Sequence, residues 1–213
     1  MKIFSFVLIV FFLVLSINFG RVFAHGSYQF PEVNPGQINE SLQKIVPIRF
    51  LPTSPLFFTI QVKEALSRMF KPSAEKRASF DFVVAGKRIK EAYLMFEAND
   101  LAAAGKGLVR YSLQLEKYAA QFEKTKSQNQ DVTTLANEVA EGLRDQEVLL
   151  SAIFQKSKEN ETFDELDVGF DDAYSNFGRT VFLINEVKPG LKNRFKSITG
   201  DDVIPAPSYP TPF

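Results

Sequence analysis

The chain has 213 residues, and its 25 Lys and Arg balance 25 Asp and Glu for a formal net charge of +0 at pH 7. That balance leaves no basic excess for a nucleic-acid partner, which would need a cationic stripe. With no Cys and a single His, His25, the sequence excludes thiol catalysis, thiolate metal sites and covalent haem, and it offers no His pair for a di-iron or conventional zinc centre.

The chain opens with Met1-Lys2, an apolar run from Ile3 to Leu15 broken only by Ser5, and a stretch ending in Val22-Phe23-Ala24. A charge, an apolar core and small or β-branched residues before the break are the pattern of a secretory leader, predicted over residues 1–24 with cleavage before His25. The expected location is therefore extracytoplasmic: periplasm, cell surface or medium. Ile3 to Gly20 also approaches the roughly 20 residues that span a bilayer, so a retained leader would act as an anchor and give the only membrane contact. Loss of Lys2 and Arg21 leaves 23 basic residues against 25 acidic ones in the mature chain. Without cysteines, packing alone must hold the exported fold.

Residues 25–52 are punctuated by Pro31, Pro35, Gly36, Pro47 and Pro52 and read as an irregular strap, with one short helical turn over Ile38 to Ile45. His25 as a new amino terminus lacks the second His that an oxidative copper site requires, so no metal is assigned there. Ser54-Pro55 then predicts a helix start, Ser54 as cap and Pro55 in the first turn. The helix should run to about Phe70 with Phe58, Val62, Ala65, Leu66 and Met69 on one apolar face, until Pro72-Ser73 stops it and opens the next.

From Pro72 to Lys126 two long amphipathic patterns stand back to back. Ala78, Phe82, Ala85, Ile89, Ala92 and Phe96 step by four and three, with Lys87, Arg88, Lys90 and Glu91 on the polar side. After Ala98-Asn99-Asp100, Leu101, Ala104, Leu108, Tyr111, Leu115, Tyr118 and Phe122 repeat the stepping, and Gln114, Glu116, Lys117, Glu123 and Lys124 are expected in water. The short connection predicts an antiparallel helical hairpin. Gly86, Gly105 and Gly107 each cost helix propensity, and close helix approach would offset that cost.

Thr125 to Gln130 reads as a polar loop, after which Asp131 caps a third long helix reaching about Lys158. Val132, Leu135, Val139, Leu143, Leu150 and Ile153 form its apolar face, and Gln146, inside that face, is expected to hydrogen-bond a neighbouring helix. A polar connection over Lys156 to Thr162 leads to a fourth stripe, Phe163, Leu166, Phe170, Ala173, Phe177, Thr180, Ile184 and Val187, ending at Lys188 because Pro189 follows. Leu191 to Ile198 suggests a short basic turn, and residues 200–213 a proline-rich, extended tail. These elements define an all-α fold: an antiparallel up-down four-helix bundle over residues 53–199, built on the long hairpin, with a short preceding helix and irregular tails.

Several stretches carry a resemblance. Ser54-Pro55-Leu56-Phe57-Phe58, Lys63-Glu64, Pro72 with Glu75-Lys76-Arg77-Ala78, Lys87-Arg88-Ile89-Lys90-Glu91-Ala92 and Gln146-Glu147-Val148-Leu149 resemble the bacterial extracytoplasmic helical family called domain of unknown function 5667, over about Leu51 to Phe154. The resemblance implies a cell-envelope location and brings no activity, cofactor or catalytic residue with it.

Little chemistry is visible. The acids Glu159, Glu161, Asp164, Glu165, Asp167, Asp171 and Asp172 lack the spacing of a calcium loop, and the dipole at a helix start favours such acids without a metal. Phe57, Phe80 and Phe195 fall beside the apolar stripes, where they would widen one into an aromatic groove. The sequence therefore predicts a non-enzymatic structural or interaction protein with a protein partner in the cell envelope, with no cofactor, metal or catalytic residue assigned. The alternative is an extracytoplasmic protein binding a small ligand or metal ion, through the aromatic groove or the acidic start of the last helix.

Overall fold

The computed structural model describes residues 30–195 and 197. The predicted leader (1–24) and proline-rich tail (200–213) lie outside them. The described residues form six α-helices, α1 (Pro35–Lys44), α2 (Phe57–Met69), α3 (Ala74–Glu97), α4 (Leu101–Ser127), α5 (Val132–Glu159) and α6 (Phe163–Val187), with a 3-10 turn at Lys192–Arg194. Among the described residues no helix is long and apolar enough to cross a membrane.

Polar side chains set most of the helix starts. Ser73 accepts from the Lys76 amide, Asp100 from that of Ala103, and Asp131 from those of Thr133 and Thr134, so orphan first-turn donors are satisfied. The chain leaves α3, α4 and α5 through left-handed residues, Asn99 (φ 59°), Asn129 (φ 51°) and Glu161 (φ 55°). Two starts differ from the sequence reading. The first helix opens at Pro35 rather than near Ile38, because Asn34 and Gln37 form a reciprocal capping box around Pro35-Gly36. Ser54 does not cap α2: its hydroxyl accepts from the Leu56 amide at 3.3 Å, closing a local turn, and the helix begins at Phe57 with no side-chain cap.

α3 packs along α4 and α5, and α6 along the same two, while α4 and α5 barely touch although they are consecutive. The helices thus follow the order α3, α4, α6, α5 around the core. Like ends of α3 and α5 meet at the Glu97–Lys156 pair (2.6 Å), and like ends of α4 and α6 at Lys126–Glu186 (2.6 Å). The predicted stripes fill the centre: Ala85, Ile89, Leu108, Tyr111, Leu115, Leu143, Phe170 and Phe177 are fully buried. Each large apolar side chain removed from water in this way contributes about 1.5–3 kcal/mol.

Small residues let the seams close. A Cβ at Gly107 would lie 2.8 Å from that of Ala92, and one at Gly169 would lie 2.7 Å from the Gly105 carbonyl oxygen, so both positions need glycine for α3–α4 and α4–α6 contact. Gly86 meets nothing closer than 3.6 Å and carries no such requirement. Gln146 bridges helices as expected, accepting from the Tyr111 hydroxyl at 2.9 Å. Phe195 is fully buried with its ring 5.6 Å from Phe177; it belongs to the core and not to a groove.

Candidate functional site

α2 sits on the hairpin the other way round from its apolar pattern. Phe58 is 68% exposed, Leu66 49%, Met69 67% and the adjoining Phe70 77%, so the face expected in the core lies in water. Phe57 is the one buried residue of α2. Toward the hairpin the helix turns Phe57, Glu64 and Arg68, at helical spacing.

The reason lies in α3. Asp81 is completely buried, and both of its oxygens need donors. Arg68 supplies a fork, Nε to Oδ1 at 2.8 Å and Nη2 to Oδ2 at 2.9 Å, and Gln114 Nε2 donates to Oδ1 at 2.9 Å. One turn further along, Glu64 accepts from Lys87 Nζ and Arg88 Nη2, while Arg88 Nη1 donates to Glu91 Oε1 at 2.6 Å. The Phe57 ring closes the end of this clasp, with the Arg88 guanidinium carbon 5.5 Å and that of Arg110 5.7 Å from its centroid. Exposing apolar side chains forfeits burial energy, but a buried carboxylate without a partner costs about 3–5 kcal/mol. The two costs are of similar size, and in the structure the charges are paired and α2 docks through its polar side.

Part of the hairpin's polar side is therefore closed to solvent, against the sequence reading, while Glu116, Lys117, Glu123 and Lys124 are exposed as expected. Arg88 is 6% exposed, Glu91 1% and Gln114 8%. Lys90 is covered by α1, donating to the Ile45 carbonyl at 3.1 Å and to that of Leu42. Burial pushes the Glu91 carboxyl above its usual range, against the opposing pull of Arg88 and Arg110. It also pulls the Arg110 guanidinium down, partly offset by Glu91. In Arg68 the hydrogen bond to Asp81 acts in the other direction and raises it.

Between α2 and the hairpin runs a groove of about 620 Å³, walled by Gln61 and Ala65 on one side and by Phe80, Arg110, Leu113 and Lys117 on the other. Phe80 thus lines a groove as predicted, whereas Phe57 is buried at the clasp. Among the described residues no group of three or more His, Asp or Glu side chains gathers where it could hold a metal. Asp164 and Glu165 occupy the first turn of α6. The clasp itself was not singled out from the sequence. Its signal is a second stripe on α3, Asp81, Val84, Arg88 and Glu91, at the same three-four stepping as Phe57, Gln61, Glu64 and Arg68 on α2, with opposite charges in reverse order.

The fold and this site define a helical-bundle domain in which a short helix is held on a long hairpin by buried charge. Residues 49–142 match the family model described as Domain of unknown function (DUF5667). The match spans the clasp and the groove but ends before Gln146-Glu147-Val148-Leu149, so it is narrower than the span of about Leu51 to Phe154 read from the motifs. No curated protein and no solved structure matches the chain.

Proposed function

We propose that the protein is an exported, non-enzymatic interaction module of the cell envelope, presenting α2 to a protein partner. The observation that carries this reading is the outward apolar flank of α2. Phe58, Val62, Leu66 and Met69 are exposed together on a helix whose orientation is fixed by the pairing of Glu64 and Arg68 beneath it. A contiguous apolar flank in water costs solubility, and such flanks mark interaction surfaces. The leader-like pattern of residues 1–24 supports export.

A photo-crosslinking side chain at Phe58 or Leu66, in the full chain expressed in its own cells, tests both parts. One recurrent envelope protein should be trapped from these positions and not from exposed Glu116 on α4, and the protein should fractionate outside the cytoplasm. Retention in the cytoplasm would refute export. Identical products from Leu66 and Glu116 would refute docking through α2.

A further inference from the structure

The groove beside the clasp has its own chemistry. Arg68, Arg77, Arg88, Arg110 and Lys117 line it against only two carboxylates, Glu64 and Asp81. Both acids are already engaged: Asp81 holds Arg68 and Gln114, and Glu64 holds Lys87 and Arg88. The remaining positive charge belongs to Arg77, whose Nε donates to the Lys71 carbonyl at 3.0 Å, to exposed Lys117 and to Arg110.

Arg110 is the anomaly. Its Nε and Nη2 are buried and have no hydrogen-bond partner, although a buried guanidinium donor is normally satisfied. Glu91 is the nearest acid electrostatically, but its Oε1 is taken by Arg88 and no bond joins it to Arg110. Arg110 lines the groove together with an apolar set, Ala65, Met69, Phe80, Val84 and Leu113. At about 620 Å³ the groove falls within the roughly 300–1,000 Å³ of small-molecule sites.

We infer that the groove binds an amphiphilic anion, a carboxylate or phosphate on an apolar tail, with the anionic head on Arg110 and the tail along Met69, Phe80 and Leu113. Arg110 suits that head because a planar guanidinium can give parallel hydrogen bonds to two oxygens of a carboxylate or phosphate. Lys117 at the rim adds charge without geometry. A neutral lipid would leave Arg110 unpartnered, and a small hydrophilic anion would leave the apolar wall unused. The site goes beyond partner docking: it needs no protein on the outer flank of α2.

Calorimetric titration of the full mature chain with monomeric decyl phosphate tests it. One molecule should bind per chain, Arg110→Met should weaken binding about tenfold or more, and Leu113→Gln should also weaken it. Decanol and inorganic phosphate should each bind more weakly than decyl phosphate. Because Arg110→Met also removes one of the two cations acting on Glu91, Lys117→Gln at the exposed rim is the second variant; it should keep the fold and lower affinity modestly. Equal binding by parent, Arg110→Met and Leu113→Gln would overturn the site, as would no binding by the parent or inorganic phosphate binding as tightly as decyl phosphate. Vesicles of phosphatidylcholine with and without phosphatidylglycerol separate the sources. Displacement of decyl phosphate only by the anionic vesicles assigns the head to a membrane lipid, and its persistence assigns it to a free amphiphile.

Discussion

The seam between α3 and α4 and the junction between α2 and α3 join neighbouring helices with opposite materials. The seam is apolar and closes to backbone contact at Gly107 and Ala92, while Ile89, Leu108, Tyr111 and Leu115 exclude water around it. The junction is ionic: Asp81 with Arg68 and Glu64 with Arg88, plus one buried ring, Phe57. Apolar burial is non-directional and grows with area, so the seam contributes most of the stability. Charge pairing contributes little net energy once desolvation is counted, but it punishes every wrong arrangement. The seam therefore makes the bundle stable, and the junction decides which side of α2 faces outward.

That division can be broken first at the seam. Leu115→Ala removes a fully buried side chain and should cost about 2–5 kcal/mol in urea unfolding, lowering protection from hydrogen exchange across α3 and α4 together. A loss under about 1 kcal/mol would mean that the seam tolerates a cavity and is not the stabilising element. At the junction, Asp81→Ala leaves Arg68 able to reach water but removes the acceptor of Gln114, for an expected cost of about 1–3 kcal/mol. Its distinguishing result is local: amides of α2 should exchange faster while those of α4 keep their protection. If α4 loosened equally, the junction would be part of the core and the contrast would fail.

This contrast explains how far the sequence could be read. The four long helices were legible because their apolar stripes pack on one another, and capping at Ser73, Asp100 and Asp131 follows from local chemistry. The orientation of α2 was not, because Phe58, Val62, Leu66 and Met69 make a good apolar stripe and nothing within the helix reveals a competitor. The competitor lies in α3, where Asp81 and Arg88 form a second stripe beside the core-facing one, are buried and require partners. Reading one helix at a time finds amphipathicity; only two stripes read together reveal charge complementarity. Pro35-Gly36 likewise concealed a helix start, since breakers outside a capping box end structure and inside one begin it.

A smaller effect comes from the proton balance at Glu91. Burial holds its folded carboxyl above the ordinary value of 4.5, so the folded state takes up the proton more readily than the unfolded one. The stability it contributes is fully present below 4.5 and is lost as pH rises through the raised folded value. The stability of the parent minus that of Glu91→Gln should accordingly fall as pH climbs from below 4.5. A difference that rises instead would show that Arg88 and Arg110 outweigh burial and that the junction attracts its charges more than it desolvates them.

The smallest effect is expected on the outer flank. Phe58 is 68% exposed, so Phe58→Ser removes a ring that meets mostly water and should change stability by no more than about 0.5 kcal/mol in urea unfolding. The same change should abolish crosslinking from Leu66 if the flank is where a partner docks. Near-zero cost in folding together with a full loss of capture would separate the two uses of apolar surface in this molecule, Leu115 for the fold and Phe58 for contact. A cost comparable to that of Leu115→Ala would mean that the ring is covered within the chain, and that the ionic junction does not by itself set the outward side of α2.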